Sequence, residues 1–136
     1  MIRKARTTLR LSFMTGCLLV LSACVTGPRF ANLDALVVPA EPLDLPPNAE
    51  LTVRLEDVTR GSDVIAESTY TRLGRGPIPV MLRYDAKAID DDRVYVLRAA
   101  IRANKTLTHR NAEEVPVLTG KAPRGDVRVP IERVER

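Results

Sequence analysis

A chain of 136 residues, 45% of them hydrophobic, supports one small domain with a modest core. Its formal charge of +4, from 21 basic and 17 acidic residues, points to nucleic acid or an anionic surface only if that charge belongs to the folded part, and it does not. A single histidine excludes a multi-histidine metal site, and the absence of tryptophan weakens any reading that needs aromatic stacking on sugars.

The charge sits at the N-terminus. Arg3, Lys4, Arg6 and Arg10 form a basic stretch with no acidic residue, and Leu11 to Val20 is an apolar run too short to span a bilayer. Small residues follow, in the order Leu21-Ser22-Ala23-Cys24. This is the pattern of a secretory signal ending in a lipobox, with residues 1–23 removed by a signal peptidase that reads Leu21, Ser22 and Ala23. The Cys24 thiol then carries diacylglycerol and the new N-terminus an acyl chain. Position 25 is Val rather than Asp, which favours the outer membrane over the inner one, on the periplasmic face. Cleavage leaves 17 basic against 17 acidic residues, a neutral chain, so nucleic-acid binding is disfavoured. It also removes Cys17. With Cys24 lipidated, no disulfide or thiol chemistry remains.

Residues 24–48 hold Pro28, Pro39, Pro42, Pro46 and Pro47, half of the chain's 10 prolines. They read as a tether. The Leu33, Leu36, Val37, Val38 patch is apolar for a tether and is expected to pack along the domain or to add a strand.

From Ala49 the pattern is of short strands and turns. Leu51, Val53 and Leu55 alternate with polar residues, Val64 to Thr71 forms a second strand, and Ile78, Val80, Leu82 and Tyr84 mark a third whose Pro77 and Pro79 suit an edge. Asp85 is placed to cap a short helical turn that ends near Ile89. Val94 to Ala103 is the most strand-like run, with Arg98 and Arg102 facing away from Tyr95, Leu97, Ala99 and Ile101. Asn104-Lys105 reverses the chain into Thr106 to Arg110. Val115 to Leu118 and Val127 to Val134 complete the series. The expectation is an all-β domain over residues 49–136, a single small antiparallel β-sandwich, with an open barrel as the alternative.

Candidate catalytic groups are few. Ser62 and Ser68 are the only serines after Cys24, neither lies in a nucleophile elbow, and His109 reads as a strand residue. Asp90-Asp91-Asp92 lacks the spaced ligands of a calcium loop and reads as a turn. Arg124-Gly125-Asp126 is ordinary turn chemistry. Tyr70, Tyr84 and Tyr95 fall in phase with apolar positions and read as core. No enzyme, cofactor or metal is expected.

Two stretches carry a family resemblance. Leu51-Thr52-Val53-Arg54-Leu55-Glu56-Asp57-Val58, followed by Val64-Ile65-Ala66-Glu67, is one. The other runs from Ile78-Pro79-Val80 through Tyr84-Asp85 and Ile89-Asp90 to Tyr95-Val96-Leu97-Arg98-Ala99-Ala100-Ile101, with Pro116-Val117-Leu118-Thr119 fitting as well. Together with the lipobox they resemble the YbaY/YscW family of Gram-negative lipoproteins. The chain's Leu-Glu-Asp-Val and Tyr-Asp motifs resemble the YbaY-like branch, which has no settled activity, more than the YscW-like branch of secretion pilotins. By analogy with the latter, the resemblance implies a small lipidated, pilotin-like accessory protein that binds or chaperones another envelope protein. Strand addition at a sheet edge is one way to do so. A structural module that binds envelope glycan or lipid is the alternative.

Overall fold

The computed structural model describes residues 27–135. The lipobox, Cys24 and the signal sequence lie outside the described residues.

Eight strands form the domain: β1 (Phe30–Pro39), β2 (Glu50–Asp57), β3 (Asp63–Tyr70), β4 (Ile78–Asp85), β5 (Tyr95–Ala103), β6 (Thr106–Asn111), β7 (Val115–Val117) and β8 (Val127–Arg133). Among the described residues the one helical element is a single 3-10 turn, Ala86–Ala88, capped by the Asp85 carboxylate, which accepts from the Lys87 N–H at 2.9 Å. Every strand expected from residue 49 onward is present, within a few residues at each end, and the all-β class holds.

The segment read as a tether is corrected in part. Residues 30–39 form β1, so the sheet begins at Phe30 and not at Ala49. β1 lies between β4, antiparallel, and β8, parallel. Leu33, Ala35 and Val37 are buried in the core while Asn32 and Asp34 are exposed, the alternation of a strand covered on one face. The apolar patch is thus the extra strand, and Pro39 ends it.

The strands make one continuous sheet in the order β3-β2-β5-β6-β8-β1-β4, with β7 beside β5. Its two end strands, β3 and β4, come within 8 Å of each other without forming a ladder. The architecture is therefore a nearly closed, single-sheet barrel rather than two stacked sheets, and its pairing is antiparallel except for β1 with β8. Strand twist carries the sheet round until its ends meet. The inward residues of β2, β4, β5 and β8, among them Leu51, Leu55, Leu82, Leu97, Ile101 and Val129, are fully or almost fully buried. Burial of each such side chain contributes about 1.5–3 kcal/mol. Asn104 and Lys105 both take positive φ (52° and 65°), which makes the tight reversal between β5 and β6.

After β1, Pro39 to Leu43 packs against the loop before β4, and the Leu43 N–H donates to the Arg75 carbonyl at 3.0 Å. Gly76 makes that approach possible. Its φ is +81°, and a Cβ there falls 2.6 Å from Cγ of the Pro39 ring. Neither the strained backbone nor the rigid ring can give way cheaply, so Gly76→Ala is expected to lower stability by about 2 kcal/mol. Chemical denaturation checks this, and an unchanged midpoint contradicts it.

Candidate functional site

The outward face of β2, β5 and β6 carries a cluster of charged side chains. Outward residues on a strand recur every second position, so Arg54 on β2 and Arg98 on β5 stand directly opposite each other, and Arg110 on β6 faces Ala100. Together they line a groove of about 470 Å³ with a floor of small side chains, Thr52 and Ala100. Two like charges side by side are tolerable here because each is neutralised. The Arg54 Nε bonds Glu67 at 2.6 Å, and Arg98 bonds Glu56 at 2.5 Å and Glu114 at 3.4 Å. Glu56 is only 6% exposed, and the Ser62 hydroxyl also donates to it. Glu50 lies across from Arg102 and Glu132 across from Arg110. The groove is therefore electrically balanced.

At one end of β2 the chain buries a second acid. Asp57 is 4% exposed, receives the Arg93 guanidinium at 2.7 Å and accepts the Thr59 N–H at 3.0 Å. The Arg93 hydrogen bond, then those from Thr59, hold its pKa down at about 2. Asp57 thus stays ionised in the fold at a pH where the unfolded chain takes up a proton. Its contribution is complete above about pH 4 and is lost as pH falls toward 2. Melting temperatures across that window should fall less steeply for Asp57→Asn than for the wild type, and parallel curves contradict this assignment.

His109 is half-buried on β6. Burial, and then the Arg133 charge, hold its imidazole below the ordinary pKa, so it is neutral at neutral pH. Its Nδ1 lies 3.0 Å from the Thr108 hydroxyl. Ser62 donates to Glu56 and Ser68 to the Met81 carbonyl. The structure does not bring either serine into a hydrogen bond with His109, so no Ser-His pair forms. Asp90 makes the anticipated turn, its carboxylate accepting the Asp92 N–H at 3.1 Å. Among the described residues no group of three or more His, Cys, Asp or Glu is placed to hold a metal ion.

The remaining candidate is the meeting line of β3 and β4. Ladder bonds are absent along it, and side chains from β3 reach across instead. The Tyr70 hydroxyl donates to the Met81 carbonyl at 2.9 Å and accepts the Met81 N–H at 2.8 Å, while Ser68 donates to the same carbonyl at 3.2 Å. Tyr95 is core, as its phase implies, at 1% exposure. Tyr70 has this second role as well. Its sequence phase gives no sign of it, because the partner is a backbone 11 residues away on a strand that is not its neighbour in the ladder.

With this geometry in hand, the family can be stated. Residues 30–129 match the family model described as type III secretion system lipoprotein chaperone (YscW), a span that runs from β1 into β8. The chain belongs to that family. Among solved structures it is similar to an alternative pilotin from the type II secretion system of Vibrio cholerae, with a TM-score of 0.72, 24% identity, and coverage of 79% of this chain and 100% of that one. That likeness concerns the fold. No curated protein sequence matches.

Proposed function

We propose that this protein is a non-enzymatic accessory lipoprotein, held at the periplasmic face of the outer membrane by lipid on Cys24, that binds and chaperones a protein of a secretion system. The observation that carries the reading is the family match over residues 30–129, which takes in almost the whole sheet and includes β1. The lipobox supplies the anchor. A strand-rich domain whose two end strands meet without a ladder supplies a surface suited to another polypeptide.

Two measurements test it. Cys24→Ala should abolish acyl-lipid labelling and shift the protein from the membrane to the soluble periplasmic fraction. Persistent labelling sinks the anchor. Crosslinking in cells should recover a specific secretion-system envelope protein, and recovery should be lost on removing residues 30–129. If no protein is recovered under secretion-inducing conditions while isolated cell-wall material or lipid binds the domain, the glycan- or lipid-binding alternative replaces this reading.

A further inference from the structure

The seam between β3 and β4 has the chemistry of an unfilled strand position. In an antiparallel ladder, two residues of a hydrogen-bonded pair exchange both bonds, N–H to C=O in each direction. Met81 makes both of those bonds to one hydroxyl, that of Tyr70. The side chain therefore stands in for the backbone of an absent partner residue. Groups two residues apart on a strand point the same way, so Pro79 and Arg83 present their backbone to the same edge as Met81. Pro79 has no N–H to offer, and its presence is what a free edge permits.

The side chains along the seam specify what fits. Met81 on β4 is 48% exposed, a large apolar side chain left open to solvent at the seam. The nearest acid on β3 is already paired, and the nearest cation on β4 lies over a ring. Glu67 is bonded to Arg54, and the Arg83 guanidinium lies 4.2 Å from the centre of the Phe30 ring. Glu67 is therefore not available to a basic side chain, and the exposed Met81 favours an apolar one, so an extended segment with apolar side chains at every second position matches the edge.

We infer that the β3–β4 seam is a strand-acceptor site: the two edges, within 8 Å of each other, part so that an extended segment of the partner protein with alternating apolar side chains displaces the Tyr70 hydroxyl and pairs with β4. This rests on the reading that the chain binds a protein partner, and adds where and in what conformation. Tyr70 acts as the latch: it satisfies the Met81 backbone when the site is empty and competes with the incoming strand.

The test uses the full chain and, as probe, an acetylated and amidated Ser-Val-Thr-Val-Ser-Val peptide, with a proline-interrupted version as control. Hydrogen exchange should slow at the Met81 and Arg83 amides on adding the probe and not the control. Tyr70→Phe, which removes the competing hydroxyl, should bind the probe about tenfold more tightly. Met81→Pro deletes the seam-facing N–H and leaves the ladder to β1 intact, so it should not bind. Absence of protection at the seam overturns the inference, as does equal binding by wild type and Met81→Pro. Should Met81→Pro lose its cooperative melt, the Tyr70→Phe comparison decides alone, and equal affinity there overturns it. A Tyr70→Phe protein that dimerises without competition from the probe assigns the seam to a second copy and also overturns it. In cells, a partner crosslink that survives in folded Met81→Pro protein refutes the seam while sparing the accessory role. A seam that takes the probe with no partner recovered by any form refutes the accessory role alone.

Discussion

Val37→Asp is expected to unfold the domain. Val37 is fully buried and lies opposite Ile78 on β4 and Val129 on β8, so the new carboxylate enters the centre of the barrel with no cation beside it. Burial of an unpaired charge is among the few substitutions that exceed about 4–5 kcal/mol, a large part of the 5–15 kcal/mol that holds a typical domain together. The variant should lack a cooperative thermal transition and should be cut throughout by protease. Asp34→Asn, at an exposed position on the same strand, should stay within about 0.5 kcal/mol of the wild type. If Val37→Asp melts like the wild type, β1 is not part of the sheet and residues 24–48 are a tether throughout.

That experiment addresses the one element whose extent local pattern leaves open, since the apolar patch at 33–38 is expected to pack along the domain or to add a strand while the domain is read as starting at Ala49. From Leu51 onward, one-sided burial writes itself into the sequence as alternation, and the turn residues between strands carry their own signals, so β2 to β8 were legible. β1 was legible only as an apolar patch, for three physical reasons. Leu36, Val37 and Val38 are apolar in both phases, which hides the alternation that Leu33, Ala35 and Val37 obey. The prolines at 28, 39, 42, 46 and 47 crowd its flanks, although only Pro39 lies within it, as its last residue. Its parallel pairing with β8 joins residues about 92 positions apart, such as Ala35 with Val127, and no local window contains that relation. The closure of the sheet was hidden likewise. Strand patterns report which face is buried, and a sandwich and a barrel bury the same face. At the candidate site, the buried acids at 56 and 57 looked like ordinary strand-end residues, since their burial depends on Arg98 and Arg93, each supplied from β5 or its approach.

Asn111→Ala should cost about 2–4 kcal/mol, more than its partial exposure suggests. β5 pairs with β6 from Ala100 to Ala103 and with β7 from Tyr95 to Leu97, which leaves a break in the ladder around Arg98 and Ala99. The Asn111 carboxamide fills it. Its Oδ1 accepts the Ala99 N–H at 2.5 Å, and its Nδ2 donates to the carbonyls of Leu97 at 2.8 Å and Glu113 at 3.3 Å. Leu97 is fully buried and Ala99 is 2% exposed, so water from the groove replaces the lost side chain poorly, and each backbone group left without a partner carries a desolvation cost of about 1–3 kcal/mol. The expected readout is a lower denaturation midpoint with an unchanged slope, together with faster exchange at the Ala99 amide. A shift below about 0.5 kcal/mol shows that the break does not need its plug. The comparison with Tyr70 gives this prediction its wider use. Both side chains imitate a missing strand by donating and accepting at the same gap, but Asn111 does so over buried backbone and Tyr70 beside the half-exposed Met81. Loss of the first leaves polar groups poorly solvated, whereas loss of the second leaves them to water or to another strand. Tyr70→Phe should therefore destabilise the fold by less than Asn111→Ala, by about 1 kcal/mol, and that difference marks the β3–β4 edge as the part of the barrel that opens at low cost.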